Sequence, residues 1–204
     1  LYTLFVSGII GSKTISIEPV QNTYKRLLLN LKLNNLKNVE PLNIGLSNQI
    51  GIINMSNNKG ELNKILINDD DNSEMVTVST LDQITQNKKN ISLLKIDVEG
   101  YEKFILEGGI NTLKNINLKV ILIELNGSNE YYNYSEKDII NFLNNFHFKP
   151  YKYDPYNNKL ISLNNKKNSE TYNTIFIKDF DSVNEKINDK YISIKYNTIS
   201  VSHI

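Results

Sequence analysis

The sequence has no cysteine in its 204 residues. That excludes a disulfide scaffold, a thiolate zinc site and a cysteine nucleophile at once. It has little net charge: 23 Lys and Arg against 22 Asp and Glu leave +1. Such a balance gives no global pull toward nucleic acid or an anionic membrane, so neither DNA nor membrane is an expected partner. No apolar run approaches the roughly 20 residues of a membrane span. No signal-peptide pattern opens the chain, so cytoplasm is the expected location. Histidine is scarce too. His147, near a helix end, reads as a C-terminal cap and His203 as tail, and neither has neighbours suggesting catalysis.

What is present is a globular composition, 40% hydrophobic and 22% charged, enough for one domain with a core. No internal repeat appears. Short apolar segments alternate with helical patterns, the signature of a parallel sheet covered on both faces. "TISIEP" (14–19) reads as a strand ending at Pro19. Val20, Tyr24, Leu27, Leu28 and Leu31 then fall on one helical face. "NVEPLNIGLS" (38–47) reads as a strand whose first half Pro41 demotes to an edge or bend. Residues 51–74 are polar and irregular, with an exposed loop expected at 68–74. "MVTVSTLDQI" (75–84) is a strand running into a short helix. "SLLKIDV" (92–98) and "LKVILIEL" (118–125) are the clearest strands. Ser135 and Asp138 resemble a capping box in front of the stripe Ile139, Ile140, Leu143 and Phe146. Strands around 148–153 and 172–178 flank a polar loop (157–168) and are expected to pair antiparallel. Residues 181–204 form a tail of weak periodicity: helix, added strand or disorder.

The stretch "LLKIDVEGYE" (93–102) is unusual. A core-like strand holds Lys95 and runs into Asp97, Glu99 and Glu102, and buried charge is costly unless paired or hydrogen-bonded. In open α/β sheets, ligands bind beyond the carboxyl ends of the strands. Three strands carry acids or an amide there: Glu18, Asp97 with Glu99, and Glu124 with Asn126. The expectation is one mostly parallel sheet with these acids on the same edge. A carboxylate such as Glu18 can accept both hydroxyls of a ribose; the plain alternative is an acid leading a helix. Lys95 shares the parity of Asp97, so a buried ammonium is expected against Asp82, Glu99 or Glu124. Asp97, Glu124 and Asn126 form an all-oxygen set suited to Mg²⁺ or Ca²⁺, although such clusters are also ordinary polar crevices.

"LYTLF", "ISIEPVQNTYKRLLLNLKLNNLKNV", "LNIGLSNQIG", "VSTLDQI", "LLKIDVEGYEKFILEGG", "VILIELN" and "NTIFIKD" together resemble the FkbM family of S-adenosylmethionine-dependent methyltransferases. The resemblance covers most of residues 1–179, and the "STLD…LLKIDVEGYE" pair with its spacing is its specific part. It implies a class I methyltransferase domain over 1–180, with a Rossmann-like, mostly parallel sheet bearing one antiparallel strand. The implied reaction moves a methyl group from S-adenosylmethionine to a hydroxyl, of a sugar, glycan or related small molecule. The family's first strand and Asp-x-Gly-Ala-Asn-x-Gly loop have no counterpart here and are expected just before Leu1, so the chain reads as a fragment lacking them. "LYTLF" then matches the helix after that loop, putting Tyr2 and Thr3 near the cofactor.

Glu18 matches the family's ribose position, and Gly45 and Leu46 would line the adenine pocket, or mark an ordinary strand exit. Asp97 is the leading candidate base, with Glu99 pointing the same way; for at least one of them the alternative is capping a helix or neutralising Lys95. Glu124, Asn126 and Tyr131 fall on the acceptor side, where Tyr131, Tyr132 and Tyr134 form either a sugar platform or a loop packed on its own domain. Gly100, Gly108 and Gly109 fit turns and caps. Two rival readings remain: a methyltransferase-fold module without turnover, and an RNA methyltransferase, which the lack of a basic stripe opposes.

Overall fold

A computed structural model of the chain describes residues 1–57, 63–66 and 73–188. The described residues divide into two compact units, one within 1–45 and 50–78, the other within 46–49 and 79–188.

The first unit opens with α1 (Tyr2–Leu4), which runs into a π-helical turn over Phe5–Ile9. Strands β1 (Thr14–Ile17) and β2 (Val39–Leu42) pair in parallel and are joined by α2 (Gln21–Leu33). This is the strand–helix–strand crossover that the alternating pattern predicts. Pro41 has no amide to donate and is tolerated because β2 pairs with β1 alone among the described strands. On α2, Leu31 is buried and Leu28 is exposed; at 3.6 residues per turn Leu28 falls just off the buried stripe. The expected strand 38–47 is broken in two, β2 and β3 (Gly45–Ser47). Asn43 sits at the break, and its amide donates to the Glu18 and Pro19 carbonyls at 2.9 Å each.

The segment expected to be irregular contains a further strand, β4 (Gly51–Ser56), which pairs antiparallel with β5 (Ser73–Thr80) from Gly51–Val78 to Ser56–Ser73. Of the loop expected at 68–74, residues 68–72 lie outside the described residues, and Ser73 and Glu74 open β5.

The second unit holds α3 (Leu81–Thr85), β6 (Leu93–Ile96), α4 (Glu102–Glu107), α5 (Ile110–Lys114), β7 (Val120–Glu124) and a 3₁₀ turn (Ser128–Tyr132). It continues with α6 (Glu136–Asn144), β8 (Lys149–Asp154), β9 (Lys159–Ser162), β10 (Asn173–Ile177) and α7 (Phe180–Asn188). Five strands form one sheet in the order β6-β7-β10-β8-β9. Only β6 and β7 run parallel; β10 is antiparallel to both its neighbours, and β9 to β8. The fold is therefore mixed α/β, with more antiparallel pairing than the expected single reversed strand. The late strands pair as predicted, Ile175 opposite Tyr151. The surplus comes from β4 and β9, strands set among polar and irregular sequence. β9 lies inside the expected polar loop at 157–168, returned by a turn in which Asp154 accepts from the Tyr156 and Asn157 amides. The tail resolves into α7 as far as Asn188, and its remainder lies outside the described residues.

The core of this unit alternates along β7: Ile121 and Ile123 are buried, while Val120, Leu122 and Glu124 are not. Ile96, Leu106, Leu113, Ile139, Leu143, Phe148 and Phe176 complete it, each such side chain stabilising by about 1.5–3 kcal/mol on burial. The capping box forms: Ser135 donates from its amide to Asp138 Oδ2 at 2.8 Å, and its hydroxyl does the same. His147 takes a left-handed conformation (φ 67°) where the chain leaves α6, and the Phe148 amide then donates back to the Leu143 carbonyl, the expected cap.

The three strand-end acids do not share a sheet. β1, which leads to Glu18, belongs to a two-stranded sheet, and β6 and β7 belong to the five-stranded one. Among the described residues no strand pairs with both β1 and β6, so the expectation of a single sheet edge is corrected. No helix of the described residues is long and apolar enough to cross a membrane.

Candidate active site

Parallel pairing of β6 with β7 sets Ile96 opposite Ile123. One residue further, Asp97 follows the end of β6 beside Glu124, the last residue of β7, close enough for its carboxyl group to act on the Glu124 carboxyl. Burial and the neighbouring Asp97 carboxyl hold Glu124 above its ordinary pKa of 4.5, with Lys95 pulling the other way and Glu99 adding to the rise. Two carboxyl groups so close cannot both ionise freely, so Glu124 retains a proton more readily.

Lys95 is buried as expected, its side chain 15% exposed, but its ion pair at 3.1 Å is to Asp97, outside the three expected carboxylates. Glu124 does feel its charge. The ammonium also donates to Asn173 Oδ1 at 3.1 Å, and Asn173 stands opposite Glu124 in the β10–β7 register. Asp82 is engaged elsewhere: it accepts from the Asn111 amide (2.9 Å) and from the Thr112 amide and hydroxyl (2.8 Å each) at the start of α5. Its carboxylate satisfies a helix terminus instead of a lysine.

Glu99 has left-handed backbone (φ 52°). Its Oε2 accepts from Asn126 Nδ2 and Ser128 Oγ, both at 3.3 Å. Asn126 turns its other end back, Oδ1 accepting from the Ser128 amide at 3.0 Å. Asp97, Glu99, Glu124 and Asn126 thus come together at the ends of β6 and β7. Of the two alternatives weighed for these acids, neutralising Lys95 falls to Asp97. The residue bonded to the Gly100 amide ahead of α4 is Glu102, whose Oε1 accepts at 3.0 Å.

The tyrosines divide. Tyr132 packs edge-on against Tyr101 and Phe104, and Tyr134 is buried among the same group. Tyr131 is exposed, its ring against Tyr132 at 4.9 Å. Among the described residues no group of three or more His, Cys, Asp or Glu is arranged to hold a metal ion; the cation facing Asp97 is Lys95.

The remaining candidates, apart from Leu46, belong to the first unit. Glu18 is half-buried at the start of α2, its Oε1 accepting from Thr23 Oγ1 (2.6 Å) and the Val20 amide (3.4 Å). It is therefore a helix-leading acid, yet burial still holds its pKa above 4.5. Gly45 is a packing glycine: a Cβ there would sit 2.9 Å from Val78 Cγ1. Leu46 packs against the core of the second unit. Thr3 Oγ1 is hydrogen-bonded to Ser16 Oγ at 2.7 Å, and Tyr2 is exposed.

The family model for the methyltransferase FkbM domain matches residues 3–150. The chain belongs to the FkbM family. A crystal structure of methyltransferase FkbM from Methylobacillus flagellatus KT superposes with a TM-score of 0.51 at 11% identity, covering 81% of this chain and 36% of that one. At that identity the likeness is one of fold, and the chain spans about a third of that protein's length. A search of curated proteins returns no match.

S-adenosylmethionine, the group the FkbM family implies, meets a donor and acceptor set that fits it in part. Only Oε1 of Glu18 is engaged by Thr23 and Val20, and a half-buried carboxylate oxygen suits a hydroxyl donor. Gly45 and Leu46 serve packing in this structure.

Sequence reasoning missed Ser128 and Asn173, and it named Glu102 and Tyr134 without their contact with each other. Glu102 carried a signal, as a further acid in a core-like stretch. Asn173 carried none, because its approach to Lys95 depends on strand order.

Proposed function

We propose that the chain is an S-adenosylmethionine-dependent O-methyltransferase with a class I, Rossmann-like sheet, acting on a hydroxyl of a sugar, glycan or related small molecule. The observation that carries the reading is the Lys95–Asp97 ion pair beside Glu124 at the ends of two parallel strands. S-adenosylmethionine supplies an electrophilic methyl group when bound. Asp97, 40% exposed, accepts the acceptor hydroxyl's proton as its oxygen becomes the nucleophile, help worth about 10²–10⁴-fold. Lys95 fixes the carboxylate, and Glu124, which keeps a proton more readily, lies beside it. Glu99, Asn126 and Tyr131 orient the acceptor; within the first unit, taken by itself, Glu18 has an oxygen suited to a ribose hydroxyl. Membership of the FkbM family supports the reaction class.

The test is transfer of labelled methyl from S-adenosylmethionine to a panel of sugars and oligosaccharides, with cofactor binding followed by calorimetry. Labelled product that disappears in Asp97→Asn supports the reading. Cofactor binding with no transfer to any hydroxyl would favour a module without turnover.

A further inference from the structure

Glu102, the first residue of α4, is 3% exposed. Its Oε1 accepts from the Gly100 amide at 3.0 Å, and its Oε2 lies 3.1 Å from Tyr134 Oη. The same Oη lies 2.6 Å from the Gly100 carbonyl oxygen, and the Lys103 amide donates toward it from 3.4 Å. A phenol has one hydrogen, and a carbonyl oxygen can only accept. The short contact to Gly100 therefore takes the phenolic hydrogen. Tyr134 Oη and Glu102 Oε2 then face each other in a buried place with no hydrogen between them. Such opposed lone pairs are costly away from water. A second hydrogen removes the conflict, and the group able to carry it is the Glu102 carboxyl.

We propose that Glu102 is held in the folded protein as a neutral carboxylic acid that donates to Tyr134 Oη, which donates in turn to the Gly100 carbonyl, and that this relay positions the turn bearing Asp97 and Glu99. Burial raises the Glu102 pKa against the amides of Glu102 itself and Gly100, the Tyr134 hydroxyl when its hydrogen turns toward Oε2, and the Val98 amide, which favour the anion. From the segment packed against it comes Tyr134, whose phenol is itself pushed upward by burial. It is therefore the poorer source of a proton. Lys103, on α4 itself, stands over the Tyr134 ring with its ammonium 5.5 Å from the centre, and Tyr132 is the other titratable neighbour of the phenol.

The relay grips Gly100 at both its N–H and its C=O. Gly100 follows Glu99, whose left-handed backbone aims Oε2 at Asn126 and Ser128. Glu102 and Tyr134 are positioning residues: neither approaches the Asp97–Glu124 pair, and each acts through the turn. The positioning part rests on the methyltransferase reading; the protonation part does not.

Infrared difference spectroscopy of the whole chain, wild type minus Glu102→Gln at neutral pH, decides the protonation. The expected result is a protonated-carboxyl C=O band present in the wild type and absent from the variant. A difference confined to carboxylate bands overturns the proposal, whatever the activity. For positioning, Glu102→Ala and Tyr134→Phe are expected to lower kcat about tenfold or more through misplacement of the turn, with KM for the cofactor little changed. Glu102→Gln, whose amide both donates and accepts, restores most of the loss seen in Glu102→Ala. Equal losses in Gln and Ala overturn the neutral-acid relay. A protonated band in a protein that methylates no hydroxyl leaves the relay standing and removes the methyltransferase reading. If Tyr134→Phe does not fold, the infrared comparison still decides.

Discussion

Gly100 and Ser128 meet backbone to backbone: a Cβ on Gly100 would lie 2.4 Å from the Ser128 carbonyl oxygen. Gly100 also has φ of 96°, where side chains are strained. The turns leaving β6 and β7 are thus pressed together, and they bring Glu99, Asn126 and Ser128 into one hydrogen-bonded group. Gly100→Ala is expected to cost about 2 kcal/mol or more, through clash and left-handed strain together. Urea denaturation measures it, and a wild-type midpoint would mean that the two turns separate freely.

Lys95 is expected to matter less to stability than its burial suggests. Removing one partner of a sealed ion pair costs about 3–5 kcal/mol. Here Asp97 is 40% exposed and water can replace the ammonium, so Lys95→Met should cost nearer 1–2 kcal/mol. Asp97→Asn, which leaves the mostly buried ammonium without its carboxylate, should cost about as much, about 1–2 kcal/mol, while turnover falls by about 10²–10⁴-fold. Parallel melting and methylation assays separate the two effects. An Asp97→Asn protein with full turnover would remove the base from the proposed mechanism.

Asp82→Ala is expected to destabilise by about 1–2 kcal/mol, as for other lost helix caps. Its carboxylate holds two amides and a hydroxyl at the start of α5, and alanine can hold none. Asp82→Asn keeps one acceptor oxygen and should recover part of the loss in chemical denaturation. Equal midpoints for wild type and Asp82→Ala would show that water satisfies those amides as well.

Those residues also show where the sequence was readable. The Lys95 burial, the Ser135–Asp138 box, the His147 cap and the paired late strands each rest on local spacing, which the chain carries openly. Asp82 stood in a specific motif, "STLD", whose physical content, a cap on a helix nearly 30 residues on, no local pattern expresses. Strand order was the main blind spot. Asn173 reaches Lys95 through a pairing of residues distant in the chain, and period-two alternation says nothing of which strand lies beside which. The edge strands β4 and β9 escaped for another reason: each is flanked by polar residues, and neither shows a clean period-two burial pattern. Family resemblance supplied the reaction class, but not the three-sheet arrangement or the Glu102–Tyr134 contact.

The last prediction concerns pH. Glu18, Glu102 and Glu124 all have pKa values raised above 4.5, burial being the first cause in each. Between 4.5 and the raised values the folded chain binds more protons than the unfolded one, so stability falls as pH rises. The contribution is complete below 4.5 and lost as each carboxyl ionises in the fold. Asp138, Asp154 and Asp179 act in the opposite sense. Hydrogen bonds hold them below 3.8, so their contribution is present above 3.8 and lost as pH falls through their folded values. The urea midpoint is therefore expected to decline from about pH 4.5 toward neutrality, and to decline less steeply in Glu102→Gln, which has no proton to lose there. Glu18→Gln should flatten the profile independently, since Glu18 lies in the other unit. A midpoint that rises through this range in the wild type would show that the buried glutamates find compensating partners on ionising, and would remove the basis for a neutral Glu102.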